Sequence, residues 1–252
     1  MIITSKDNDK IREIKKLKQK KYRKNKYIVE GTRMVEEAIN ENVDIELIVV
    51  RSGFYVEFDF SKYNSIEVTE KIFNELTDVV SPQGILAIIN KKIGNDIIDT
   101  TDEYIIALDG TQDPGNLGTI IRTADAAGLK QIIISKDTVD AYSPKVVRST
   151  MGAIYRVSII EVDSLSDTLN KLKNKGFQVV TTQLDTDKSI YDIDYSKKVV
   201  VIGNEANGVT EDVKRIADIN VKIPMIGRTE SLNASVATSI MIYEYVRQKL
   251  QS

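Results

Sequence analysis

Tyr104-Ile105-Ile106-Ala107-Leu108-Asp109-Gly110-Thr111-Gln112-Asp113-Pro114-Gly115-Asn116-Leu117-Gly118-Thr119-Ile120-Ile121-Arg122 is the stretch that decides the fold. An apolar run without alternation gives way to a loop of small and polar residues, then to a helical period. A strand apolar on both sides is buried on both faces, and that is the habit of parallel sheets flanked by helices. Reading outward, similar apolar runs recur at 131–134, 177–181, 199–202 and 220–223. Helical stretches fall between them at about 117–128, 144–151, 165–175 and 210–217, with a last helix at 233–250. The expected fold class is therefore α/β, with a mostly parallel sheet covered on both sides.

Upstream the pattern is looser. The spacing of Ile11, Ile14 and Leu17 predicts a helix over 7–21, with Asp7 or Asn8 as its cap. Strands are expected at 27–29, 45–50 and 85–89, and a helix at 32–40; residues 52–84 show no clear period. Residues 91–102, with Gly94, Asn95 and Asp96, read as a linker. The expected organisation is a small α/β domain over 1–92 and a second domain over 103–252.

Composition narrows the chemistry. The 252 residues carry a net charge of -2 and contain no Cys and no His. Disulfides, thiolate nucleophiles and cysteine zinc sites are excluded. So are the Ser-His-Asp triad and the commonest metal ligand. Catalysis must use other side chains or a reactive cofactor, and no metal is expected. No apolar run reaches the roughly 20 residues of a membrane span, and the first residues lack the pattern of a signal peptide, so a cytoplasmic location is expected. Residues 1–30 hold 11 basic side chains against 4 acidic ones. A basic segment on an acidic body suggests a polyanion partner, most simply nucleic acid; a solvated lysine-rich helix face is the plainer alternative.

Ligands of parallel sheets bind beyond the carboxyl ends of the strands. Three loops there are dense in small and polar residues. Gly110 to Gly115 has the glycine spacing of a phosphate-binding loop, but Asn116-Leu117 stands where Lys-Ser/Thr is required. Instead the loops resemble the three motifs of the SpoU/TrmH family of RNA ribose 2'-O-methyltransferases, in the SPOUT superfamily. The first is Asn116-Leu117-Gly118…Arg122-Thr123-Ala124…Gly128, the second Ile202-Gly203-Asn204-Glu205…Gly208. The third is Ile223-Pro224-Met225…Ser231-Leu232-Asn233-Ala234-Ser235-Val236-Ala237. Order and spacing agree over 104–248. Residues 143–153 also look like the family's segment between the first two motifs. One departure follows, the absence of a proline near Val157-Ser158, expected to touch a strand edge. Tyr27-Ile28-Val29-Glu30-Gly31 is similar to the L30e-like substrate-binding domain that precedes the catalytic domain in many members.

The resemblance implies S-adenosylmethionine as cofactor, a C-terminal trefoil knot and a homodimer through the knotted domain. By motif position, Gly203, Ile223 and Leu232 would hold the cofactor by their backbones. Asn204, Met225, Thr181 and Thr182 would line the same crevice. Arg122, Asn116, Glu205, Ser231 and Asn233 would form the catalytic site. An arginine essentially never deprotonates in proteins, so Arg122 is easier to defend as an electrostatic or phosphate-positioning group than as a base. Ser231 or Asn233 could equally cap the last helix. Lys16, Lys20, Lys21, Arg23, Lys24 and Arg148 would contact RNA phosphates. The expected activity is methyl transfer to a ribose 2'-hydroxyl, with 23S ribosomal RNA as the favoured substrate. Transfer RNA, or a non-catalytic RNA-binding role on the ribosome, are the alternatives.

Overall fold

The structure, a computed structural model, describes residues 2–92, 97–183 and 185–251. The linker residues Gly94, Asn95 and Asp96 lie outside the described residues. In chain order the first elements are β1 (Ile2–Ile3), α1 (Asp9–Lys16), β2 (Lys26–Glu30), α2 (Thr32–Asn40), β3 (Ile45–Arg51), β4 (Ser65–Val68), α3 (Glu70–Leu76) and β5 (Ile85–Asn90). Then come β6 (Tyr104–Asp109), α4 (Pro114–Ala126), β7 (Gln131–Ser135), α5 (Pro144–Thr150), β8 (Ser158–Val162) and α6 (Leu165–Lys173). The chain finishes with β9 (Gln178–Thr182), β10 (Lys198–Gly203), α7 (Glu211–Ile216), β11 (Ile219–Val221) and α8 (Ala234–Lys249).

The chain divides into two compact units: Met1–Ile93 with Tyr142–Tyr155, and Gly94–Ala141 with Arg156–Ser252. This differs from a single cut in the linker, because the segment carrying α5 packs with the N-terminal elements. Val147, Ile154 and Tyr155 join the core of Tyr27, Val29, Met34 and Val35. The Tyr155 hydroxyl donates to the Met34 carbonyl at 3.0 Å, and the Tyr142 ring lies 4.8 Å from that of Tyr27.

In the first unit the sheet order is β1-β4-β3-β5-β2. β5 is antiparallel to both β2 and β3, while β4 runs parallel to β3 and to β1. Alternate residues feed opposite faces, as the period of two requires. Tyr27, Val29, Ile48 and Ala87 pack under α2 and α5. Ile28, Val49, Leu86 and Ile88 pack under α1 and α3. The expected first helix is shorter than its period suggests. Asn8 is its cap, accepting from the Lys10 N–H at 3.0 Å. The chain leaves the helix after Lys16, where the Arg23 guanidinium takes the Leu17 carbonyl at 2.7 Å. β4 and α3 occupy the stretch that showed no period. Ile72, Phe73 and Leu76 of α3 complete the core under α1.

In the second unit every strand pair is parallel, in the order β11-β9-β10-β6-β7-β8. All six residues of β6 and all six of β10 are buried, as expected for strands covered on both sides. Each aliphatic side chain so buried contributes roughly 1.5–3 kcal/mol. One face carries α6 through Leu165, Leu169 and Leu172. On the other, α4 packs against α8, and the Thr123 and Ser239 hydroxyls meet at 3.2 Å. β8, which escaped the sequence reading, is the outermost strand; the position lacking a proline therefore lies at the sheet edge. The strand order reverses between β6 and β10, and such a reversal opens a crevice at the carboxyl ends.

Candidate active site

Two central strands end side by side, with Asp109 of β6 opposite Gly203 of β10. The buried Asp109 carboxylate accepts from the Thr210 N–H at 2.7 Å. That bond ties the first loop to the start of α7. Asp113 caps α4 by accepting from the Asn116 N–H at 2.8 Å. The helix therefore starts at Pro114, and Asn116 sits within its first turn.

The three sequence motifs meet through side chains. The Asn116 amide donates to Glu205 Oε1 at 2.9 Å. Its own Oδ1 accepts from Asn233 Nδ2 at 2.9 Å. Asn233 is also the cap of α8: its Oδ1 accepts from the N–H groups of Ser235 and Val236 at 2.9 and 3.3 Å. Asn233 thus caps the helix and also bonds the first motif. Its oxygen holds the helix and its nitrogen joins the cluster. Ser231 is exposed and caps nothing.

Gly203 has a stronger reason than ligand access. A Cβ there would lie 2.1 Å from the Gly208 carbonyl carbon and 2.3 Å from the Val209 nitrogen. The loop folds back onto its own strand end, closed by paired backbone bonds between Asn204 and Gly208 at 2.9 Å each. The Asn204 amide braces it to the Gly110 carbonyl at 2.7 Å. Thr181 is fully buried, and its hydroxyl donates to Asn220 Oδ1 at 2.6 Å. The side chains of Asn204 and Thr181 thus both bond within the scaffold. Gln183, not singled out from the sequence, bonds both Thr181 and Asn220. Asp109, Asp113 and Gln183 were missed; only Asp113, directly before Pro114, carried a local signal, that of a helix start.

The third loop offers what an adenosyl cofactor requires. Among the described residues, positions 223–232 make no backbone–backbone hydrogen bond, so their N–H and C=O groups remain available to a ligand. Ile223, Met225 and Leu232 are half-buried there and supply apolar surface. This donor set fits an uncharged, planar heterocycle. Thr182 is half-buried at the end of β9.

Arg122 does not join the cluster. α4 starts at Pro114, so Arg122 lies more than two turns into its helix. Six residues separate it from Asn116, and at 3.6 residues per turn that points it to another face. It is exposed and has no hydrogen bond or ion pair among the described residues. Asp125, its potential partner at i+3, is engaged by Arg156 at 2.9 Å.

Of the basic residues, Lys16, Lys20, Lys21 and Lys24 are exposed. Lys21 lies 4.9 Å from the Tyr22 ring centroid. Arg23 is a correction: it is only 6% exposed, buried by its bond to Leu17, and is not part of the basic surface. Arg148 is half-buried in the first unit. Among the described residues no group of three or more acidic side chains is arranged to hold a metal, and no helix is long and apolar enough to cross a membrane.

The profile of the SpoU rRNA methylase family matches residues 103–243. That of the MRM3-like substrate-binding domain matches residues 8–87. A Bacillus subtilis protein named 23S rRNA (guanosine(2553)-2'-O)-methyltransferase RlmP is 32% identical over 96% of this chain and 97% of its own length. An AdoMet-bound rRNA methyltransferase from Sinorhizobium meliloti superposes with a TM-score of 0.87 at 35% identity, covering 100% of this chain and 99% of that one. The SpoU methyltransferase AviRb from Streptomyces viridochromogenes, at 23% identity, shares the fold with a TM-score of 0.85 over 97% and 98%.

Proposed function

The chain belongs to the SpoU rRNA methylase family, and from that membership we propose that it methylates a ribose 2'-hydroxyl of 23S ribosomal RNA. It is an S-adenosylmethionine-dependent RNA 2'-O-methyltransferase. The observation that carries the site assignment is the chain of bonds from Glu205 through Asn116 to Asn233, which unites three loops that are far apart in sequence.

Bound S-adenosylmethionine supplies an electrophilic methyl group on a sulfonium. The chain's own task is proximity and alignment. The free peptide groups of 223–232 and the side chains of Ile223, Met225 and Leu232 would hold the adenosyl group. The Asn116–Glu205–Asn233 cluster orders the ribose side of the crevice. One proton must leave the 2'-oxygen as it attacks, and among the described residues nothing bonds the second carboxylate oxygen of Glu205, which leaves it to receive that proton. Arg122 stabilises the developing oxyanion or the adjacent phosphate.

Because Arg122 faces away from Asn116, it reaches an acceptor most simply across a subunit boundary. This reading calls for a homodimer, and the surface around α4 and α8 suits one. α4 and α8 frame an open depression of about 310 Å³ lined by Val236, Ile240 and Tyr243, and Val236 and Tyr243 are exposed. The knotted path of the C-terminal loops and a cytoplasmic setting rest on the family likeness and on a ribosomal RNA substrate.

Arg122→Ala tests the assignment. Methyl transfer should fall by at least about a hundredfold, the scale of a lost electrostatic group, while S-adenosylmethionine binding by calorimetry stays unchanged. Undiminished transfer would remove Arg122 from the mechanism.

A further inference from the structure

The first unit holds a cavity of about 300 Å³ that the methyl-transfer chemistry does not use. Its volume is at the lower end of small-ligand pockets, about 300–1,000 Å³. Met34, Val79 and Met151 give it apolar walls, and Arg33 and Arg148 bring two guanidinium groups to it. Among the described residues Arg148 Nη1 is buried with no hydrogen-bond partner, which is costly unless something fills the role.

The polar groups at the cavity are held in place. Gly31 has φ +100°, and a Cβ there would come within 2.7 Å of Gln83 Oε1. That glycine lets the Gln83 oxygen accept the Thr32 N–H at 2.8 Å, which leaves the Gln83 –NH2 as a donor. Glu30 accepts from the Thr77 hydroxyl. Met151 sits in the left-handed region at φ +51°, where a side chain is strained, and its side chain is 39% exposed beside the cavity.

We propose that this cavity takes one unstacked nucleotide of the RNA substrate, a reading that rests on the function proposed above. The base lies between the methionine and valine walls. The Arg148 guanidinium and the Gln83 amide donate to its acceptor edge, and Arg33 meets its phosphate. Donors dominate the lining, so a base with two adjacent acceptors, as in O6 and N7 of guanine, fits best. The lysines of α1 and the following turn contact phosphates without reading sequence; this cavity gives the first unit a means of reading one position.

Two variants and one crosslink test it, with the full chain and an end-labelled, unmodified transcript of 23S rRNA as probe. Met151→Gly relieves the backbone strain while deleting one wall, so it should melt no lower than wild type and still bind the transcript about tenfold more weakly. Arg148→Gln should weaken binding similarly and leave the slope of log affinity against log salt near its wild-type value, as expected for a base contact rather than a phosphate contact. A transcript substituted with 6-thioguanosine should crosslink to peptides containing Met34, Val79 or Met151. Wild-type affinity in both variants, or no crosslink to these peptides, overturns the proposal even if the enzyme methylates the transcript. Loss of affinity in the variants of a protein that neither binds S-adenosylmethionine nor transfers methyl would instead leave the cavity standing and sink the enzymatic reading.

Discussion

At Gly203 the turn leaves no room for a side chain, because the 208–209 backbone occupies the space a Cβ needs. Gly203→Ala should cost about 1–3 kcal/mol, the range for forced overpacking, read as a lower urea midpoint. S-adenosylmethionine affinity should fall with it, since the second loop would shift. Asn233 allows its two roles to be separated. Asn233→Ala removes the cap and should cost about 1 kcal/mol. Asn233→Asp keeps an N-cap oxygen but loses the donor to Asn116. Its urea midpoint should stay near wild type while methyl transfer drops about tenfold or more. Equal losses of stability and transfer in Asn233→Asp would mean that the residue acts only as a cap.

The helices show how far local pattern reaches. α1 was legible because Ile11, Ile14 and Leu17 repeat at three residues and are all buried. Its end was not legible, because the Arg23 bond that accompanies it joins residues by folding rather than by period. The same bond removes Arg23 from the RNA surface, although in sequence it is indistinguishable from its lysine neighbours. β4 and β8 were missed because each is short and interrupted by Glu67 or Glu161. Their identity comes from the strands beside them. The exposed lysines can be tested as a group. Reversing Lys20, Lys21 and Lys24 to Glu should weaken RNA binding and flatten its salt dependence. Equal affinity of both proteins for the transcript at low salt would show that this surface makes no phosphate contacts.

Across the whole molecule, the sheet of the second unit was readable from its apolar runs, since strands covered on both faces need no alternation. Its strand order was not. The insertion of β10 between β6 and β9 is a long-range pairing, yet it is what brings Asn116, Glu205 and Asn233 together. Motif resemblance named those residues; only the fold shows that they touch. It also separates Arg122 from them, which spacing along the chain had not suggested. The assignment of 142–155 to the first unit is likewise a matter of packing, because Val147, Ile154 and Tyr155 bury themselves against distant partners. The central claim is a reaction, and its most direct test is product analysis. Unmodified 23S rRNA is incubated with methyl-labelled S-adenosylmethionine and the protein, then digested to nucleosides. The account predicts label in a 2'-O-methylated nucleoside; label in a base-methylated nucleoside, or no label with no cofactor binding, would contradict it.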